Sequence, residues 1–220
     1  MSIQSHIESL RKNVPDNVKI VAVSKFHSTE TIMEAYEAGQ RIFGESRVQE
    51  LVAKQAELPR DIEWHFVGTL QRNKVKQIAP FVSLIHSLEN ERLMFEIEKQ
   101  ASANNRVIPC LLQIHIAEEE TKSGFSSDEC REFLAAGTWR NCAHVQLVGV
   151  MGMATFTDEA VKIREEFQSL KSFFDEIKAN YFADDVSFRE ISMGMSDDYP
   201  IAIEEGSTMI RVGGVIFGNR

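Results

Sequence analysis

Residues 19–39 read KIVAVSKFHSTETIMEAYEAG. The opening six, 19–24, form a near-continuous apolar run, which suits a strand of a parallel sheet buried on both faces. After the lysine comes Ser28, a helix cap, then an amphipathic stretch over 29–38 that stops at Gly39, as capping rules predict. Strand, turn and helix therefore fit into about twenty residues, and the rest of the chain repeats the unit. Apolar runs recur at 41–45, 63–68, 83–87, 107–115, 145–151, 188–193 and 209–217, giving eight strand candidates. Helical patterns lie between them. One covers 89–104. A longer one covers 158–180, with Val161, Phe167, Leu170, Phe173, Phe174 and Ile177 on its apolar face. Another opens at Ser126-Ser-Asp-Glu129 and runs through Phe133 and Leu134 to Gly137, and residues 1–14 form an extra leading helix. Eight alternations in about 200 residues predict an α/β fold, a single (β/α)8 TIM barrel with an extra N-terminal helix, spanning 1–220 as one domain. A doubly wound open sheet is the alternative.

The chain has 220 residues and a formal net charge of −9, with 24 Lys+Arg against 33 Asp+Glu. An acidic balance argues against nucleic acid and anionic membranes as partners, and no apolar run approaches the roughly 18 residues of a membrane span. The amino terminus lacks the basic and apolar regions of a secretory signal. Cys110, Cys130 and Cys142 form no C-x-x-C pair, so the chain reads as cytoplasmic. The six histidines, His6, His27, His65, His86, His115 and His144, make no metal-binding motif. His65, His86 and His115 fall on the third, fourth and fifth strand candidates, either facing the mouth or hydrogen-bonded within the barrel. Arg72, Lys74 and Lys76 read as a solvated helix face, Glu118-Glu-Glu120 as a solvated loop, and Cys110 as a buried strand residue.

Barrels place their chemistry at the carboxyl ends of the strands, with phosphate bound after strands seven and eight. Alternation puts Val21, Val23 and Lys25 on one face of the first strand. If that face is interior, apolar walls desolvate the Lys25 amine and favour Schiff-base chemistry; otherwise the stem reaches out to solvent. After the seventh strand, Ser192-Met-Gly-Met-Ser196-Asp-Asp198 offers hydroxyl and backbone N–H donors to an anion, or a helix cap. The eighth brings Gly206-Ser207-Thr208, then Arg211-Val-Gly213-Gly214, where paired glycines allow close backbone approach to a ligand or mark a tight corner. Arg211 shares the face of Gly213, and an inward arginine needs an acceptor or a ligand.

Several stretches, in this order, closely resemble the pyridoxal phosphate homeostasis proteins. They are Ala22-Val-Ser-Lys25, Phe43-Gly-Glu45, Trp64-His-Phe-Val-Gly68 with Leu70-Gln71 and Asn73-Lys74, Ile85-His-Ser87, Ala117-Glu-Glu-Glu120 with Lys122 and Gly124, Met151-Gly-Met-Ala154, Ser192-Met-Gly-Met-Ser196, and Gly206-Ser-Thr208 through Arg211 to Phe217-Gly218. The resemblance covers nearly the whole chain. It implies a fold-type III barrel like the amino-terminal domain of alanine racemase, binding pyridoxal 5′-phosphate (PLP). Lys25 then matches the Schiff-base lysine, Ser196 with the backbone of Gly213 and Gly214 the phosphate cradle, and Arg211 the arginine facing the pyridine nitrogen. Ser207 and Thr208 lie in the adjoining motif, and Ser46, His65 and Met195 complete the expected cofactor-binding set. Three positions depart from the family pattern. Ser46 stands where asparagine is usual, His115 replaces another asparagine, and Phe26-His27 follow the lysine.

The resemblance further implies a monomer that holds, buffers and delivers PLP, with apo-PLP-dependent enzymes as receivers, rather than a robust catalyst. An arginine at the pyridine nitrogen opposes its protonation and weakens the ring as an electron sink. Two-base racemisation also needs a second acid/base. Of the tyrosines, Tyr36 and Tyr181 fall in predicted helices and Tyr199 lies just after the phosphate loop. A minimal PLP-dependent racemase and a barrel binding a sugar phosphate without a Schiff base are the competing expectations.

Overall fold

A computed structural model describes residues 2–118 and 123–218. The strands are β1 (Lys19–Val23), β2 (Ile42–Glu45), β3 (Glu63–Phe66), β4 (Leu84–Leu88), β5 (Ile108–Gln113), β6 (Val145–Met151), β7 (Glu190–Ser192) and β8 (Met209–Val212). Each pairs in parallel with the next, and β8 pairs with β1 through Lys19↔Met209 and Val21↔Arg211, so the sheet closes. The helices are α1 (Ile3–Asn13), α2 (Thr29–Glu37), α3 (Val48–Glu57), α4 (Val75–Ile78), α5 (Glu91–Ala103), α6 (Ser127–Ala136), α7 (Ala160–Tyr181), α8 (Tyr199–Glu204) and α9 (Gly214–Phe217). The expected (β/α)8 barrel with its leading helix is the observed fold, and the open sheet is not.

Local chemistry explains the helix ends. Ser2, Ser28 and Asn90 cap α1, α2 and α5 by accepting backbone N–H bonds. Ser126 and Glu129 form a reciprocal capping box on α6, which Gly137 ends at φ 71°. Along α7, Ile163, Phe167, Leu170, Phe174 and Ile177 are buried against the barrel, each such side chain contributing roughly 1.5–3 kcal/mol. Val161 is a correction: it is 72% exposed, because it precedes Ile163 by two residues and so projects from the opposite side of the helix. The second correction concerns 209–217. Its last four residues are α9, not strand, because the chain turns after Gly213 and packs back on α1. There His6 Nδ1 lies 2.9 Å from the Ile216 carbonyl.

Two apolar layers result. The larger lies between strands and helices, around Phe43, Trp64, Phe66, Phe167 and Phe188. The smaller fills the barrel with Val21, Leu84, Leu111, Val148, Met151 and Met209. By alternation His86 shares the inward face with Leu84, and Arg211 with Met209. Gly149 on β6 has φ 153°, and a Cβ there would sit 1.8 Å from the Glu190 carbonyl oxygen. That close approach accompanies the register shift between β5 and β6 at Cys110/Leu111. Cys110 is fully buried, and burial pushes its thiol pKa up. Among the described residues no helix is long and apolar enough to cross a membrane, and no cluster of His, Cys, Asp and Glu has the arrangement to hold a metal ion.

Candidate functional site

A cavity of about 440 Å³ opens at the carboxyl end of the strands. Seven of the ten sequence-predicted residues line it: Lys25, Ser46, Met195, Ser196, Arg211, Gly213 and Gly214. They come from the turns after β1, β2, β7 and β8 and from β8 itself, so a closed barrel gathers residues almost 190 positions apart. Val23 and Val67 form apolar wall, and Phe26, Met153 and Phe156 form a rim, with Phe156 89% exposed.

Lys25 sits in the turn that follows β1, exposed at the mouth. Val23 and Val67 stand in the same cavity, but the exposure of Lys25 matches the alternative reading, a stem that reaches toward solvent, rather than an amine enclosed by apolar walls. The backbone on both sides of it is pinned. Ser24 Oγ donates to Glu45 Oε1 at 2.7 Å, and Lys54 Nζ bonds both Glu45 Oε1 at 2.6 Å and the Ser24 carbonyl at 2.8 Å. Phe26, at φ 67°, donates its N–H to Glu50 Oε2 at 2.9 Å and lies under the Arg47 guanidinium. A non-glycine residue there is strained, and the Glu50 and Arg47 contacts hold it. Burial raises the Glu45 pKa against the opposing pull of Lys54 and Ser24. For Glu50, burial is outweighed by the Phe26 N–H, Lys54 and Arg47 acting together, and its carboxyl is held below the ordinary value.

The opposite wall offers donors. Gly213 N–H donates to Ser196 Oγ at 3.2 Å, which brings the β7 and β8 turns together. Gly194 holds φ 96°, where a Cβ would lie 2.6 Å from that of Ala202, so only glycine fits the turn leading to Ser196. Asp198 Oδ1 accepts the Met195 N–H at 2.5 Å, closing that turn on itself rather than capping α8. Arg211 forms the inner end of the cavity, 5% exposed, with Nη1 donating to Ser192 Oγ at 2.7 Å and Nη2 to the Gly152 carbonyl at 3.1 Å. Burial lowers its pKa to about 10, so it remains a cation at neutral pH.

Three expected residues are elsewhere. Ser207 and Thr208 precede β8 and so lie at the amino end of the barrel. Ser207 Oγ is buried against the Met193 carbonyl at 2.8 Å, and Thr208 Oγ1 donates to Glu190 Oε2 at 2.9 Å. Both tie β7 to β8. His65 lies inside the barrel and opens on an amino-end cavity with Lys19 and Glu190. Its Nδ1 meets His86 Nε2 at 3.0 Å, and burial followed by the Lys19 charge lowers its pKa to about 3. His115 falls past the end of β5 and lines a neighbouring cavity that shares Met153, Phe156 and Met195. Glu119, Glu120 and Lys122 lie outside the described residues; Glu118 is exposed and pairs with Lys162. Sequence reading gave no role to Glu50 or Lys54. It read His86 as facing the mouth or hydrogen-bonded within the barrel, of which the second is observed. It took Asp198 and Ser192 only as parts of the turn after the seventh strand, without the His86–Ser192 contact. For that contact a signal existed, since each of the two residues shares the inward parity of its strand.

Fold and site together define a class: a (β/α)8 barrel that presents an amine, an anion-type cradle and a buried guanidinium at its carboxyl mouth. Residues 1–220 match the family model described as alanine racemase, N-terminal domain. The chain is 37% identical over 203 residues to the pyridoxal phosphate homeostasis protein of Aquifex aeolicus, covering 92% of this chain and 87% of that one. It is 34% identical to the Pasteurella multocida protein of the same name, covering 100% and 98%. It superimposes on PipY of Synechococcus elongatus, solved with PLP bound, at TM-score 0.89 and 36% identity, covering 99% and 100% of the two chains. The chain belongs to the alanine racemase N-terminal domain family and, within it, to the pyridoxal phosphate homeostasis proteins. Alanine racemase of Clostridium difficile shares the fold, at TM-score 0.72 and 12% identity, with this chain spanning 56% of its length.

Proposed function

We propose that this protein binds PLP in the carboxyl-end cavity and acts in PLP homeostasis, buffering the cofactor and delivering it to apo-PLP-dependent enzymes. One observation carries the reading. The same cavity has a lysine amine on one wall, Ser196 with two glycines on another, and a buried arginine at its inner end. The donor set fits the group: a hydroxyl and unobstructed backbone for a phosphate, a cation for a ring nitrogen, and an amine for an aldehyde. The volume is also within the roughly 300–1,000 Å³ range of small-molecule sites.

Bound PLP supplies an aldehyde that condenses with primary amines and a ring that withdraws electrons. Lys25, in a turn whose flanking residues are pinned, would hold the aldehyde through its amine. Ser196 Oγ and the Gly213–Gly214 backbone would hold the phosphate, with Ser46 and Met195 lining the same cavity. Arg211, a cation at neutral pH, would offer the ring nitrogen a donor without giving up its proton. None of the three tyrosines lines the cavity: Tyr36 bonds Asp61, Tyr181 borders a separate cavity, and Tyr199 opens α8. The mouth is open to solvent, which suits release and recapture of a cofactor better than sealed catalysis. The whole chain, 1–220, acts as one cytoplasmic, monomeric domain in this reading.

The test is to load the purified protein with PLP, reduce with borohydride and map the modified peptide. The label is expected on Lys25, with the Lys25→Ala variant colourless. Activity recovered by an apo-enzyme faster than spontaneous PLP release allows supports delivery; recovery no faster removes delivery and leaves buffering. Exchange of an amino-acid α-proton in deuterated water, lost in Lys25→Ala, would instead establish an enzyme.

A further inference from the structure

The barrel interior holds a hydrogen-bonded chain that starts at Arg211 and leads away from the carboxyl-end cavity. Arg211 Nη1 donates to Ser192 Oγ, Ser192 Oγ is 3.0 Å from His86 Nδ1, and His86 Nε2 is 3.0 Å from His65 Nδ1. All four residues are at least 95% buried. The barrel interior around them is packed with Val21, Leu84, Leu111, Val148 and Met209, and at the amino end His65 also opens on the cavity that holds Lys19 and Glu190. Among the described residues no carboxylate forms a salt bridge with Arg211, whose hydrogen-bond partners are Ser192 and the Gly152 carbonyl; the charge that acts on it is that of Asp198. A buried guanidinium without a counter-ion is costly unless dipoles hold it.

The direction of the chain follows from satisfying every group. Ser192 Oγ accepts from Arg211, so its single hydrogen has one neighbour in the chain to go to, His86 Nδ1. His86 then carries its proton on Nε2 and donates it to His65 Nδ1. His65 in turn carries its proton on Nε2, the ring nitrogen left for the amino-end cavity. The reverse order leaves the Ser192 hydroxyl hydrogen without an acceptor in a buried site, which is the costlier arrangement. Both imidazoles are kept neutral by burial.

We infer that Ser192, His86 and His65 are positioning residues that take the place of a counter-ion for Arg211, fixing its guanidinium by aligned dipoles while leaving its full charge to face the ligand in the carboxyl-end cavity. A carboxylate in their place would offset the positive charge that the guanidinium presents to the cavity. This inference rests on the proposed function only for the identity of that ligand. A neutral, aligned chain holds position without cancelling charge.

Two readouts test it, one of which needs no cofactor. Nitrogen-15 NMR of the imidazoles in the apo-protein is expected to find both His65 and His86 protonated on Nε2. His86 protonated on Nδ1 overturns the inference. With PLP added, Ser192→Ala and His86→Leu are expected to shift the absorption band in the direction that Arg211→Gln shifts it, and to speed cofactor release roughly tenfold. His86→Gln, which keeps one acceptor and one donor, is expected to restore both toward the wild type. Ser192→Ala removes a single oxygen and serves if His86→Leu fails to fold. Bands and release rates unchanged in both variants while Arg211→Gln moves them also overturn it. A wild-type protein that takes up no PLP sinks the functional reading, and the NMR result still decides the inference.

Discussion

At the scale of single residues, the cavity separates groups that touch a ligand from groups that hold those in place. In the proposed function Ser196, which lines the cavity, is of the first kind. Replacing it with alanine removes one hydroxyl from the cradle, and PLP affinity is expected to fall roughly tenfold. Affinity for pyridoxal, which lacks the phosphate, is expected to stay unchanged, and equilibrium titration with both compounds checks this. Lys54 is of the second kind. Its partner Glu45 is fully buried, with Oε2 lacking a hydrogen bond already. Lys54→Met strands that carboxylate, and urea unfolding is expected to show a loss of about 3–5 kcal/mol. The double variant with Glu45→Gln is expected to recover part of it. Equal loss in the single and double variants would show that the pair does not act through charge. Seven of the ten expected residues meet at one cavity: Lys25, Ser196, Arg211, Gly213 and Gly214 were legible from strand faces and strand ends, and Ser46 and Met195 from the family resemblance alone. Ser207 and Thr208 were misplaced because a motif adjoining the phosphate turn in sequence lies across the length of β8 from it in space.

At the scale of elements, β6 and β7 are the most demanding pair. Gly149 allows the Glu190 backbone to pass where any side chain would collide. Gly149→Ala is expected to cost more than about 3 kcal/mol, and thermal unfolding measures it; a variant as stable as the wild type would mean the strands can separate freely there. Strand order was readable because parallel strands buried on both faces announce themselves as apolar runs, and α1, α2, α5, α6 and α7 were readable from their caps and apolar period. Helix α9 was not. Residues 214–217 are as apolar as a strand, and only their packing on α1 and the ring contact of Phe217 with His27 at 4.4 Å select the helical turn. The short helices α4 and α8 carry too few residues for a period to register.

For the molecule as a whole, the interior chain has a consequence for acid stability. Folded His65 has its pKa lowered to about 3 from an ordinary 6.5, and His86 is also held well below that value. The unfolded chain therefore binds protons that the folded barrel refuses. Stability is full above about pH 6.5 and is lost as pH falls toward the folded values, by up to about 1.4 kcal/mol per pH unit for each histidine. Urea midpoints measured from about pH 7 down to about pH 5 are expected to fall, and less steeply in His86→Gln. Midpoints flat across that range would mean the imidazoles are charged inside the barrel.

The sequence by itself determined the order of the strands, five of the helices, the barrel class, and the inward parity of Arg211, because each depends on spacing along a few neighbouring residues. Closure decided the rest: which residues share the carboxyl mouth, that Lys25 stands open to solvent, and that His86 meets Ser192 from a position 106 residues away. A period of two tells which way a side chain points. Only the curvature and register of the closed sheet determine what it meets on the far side.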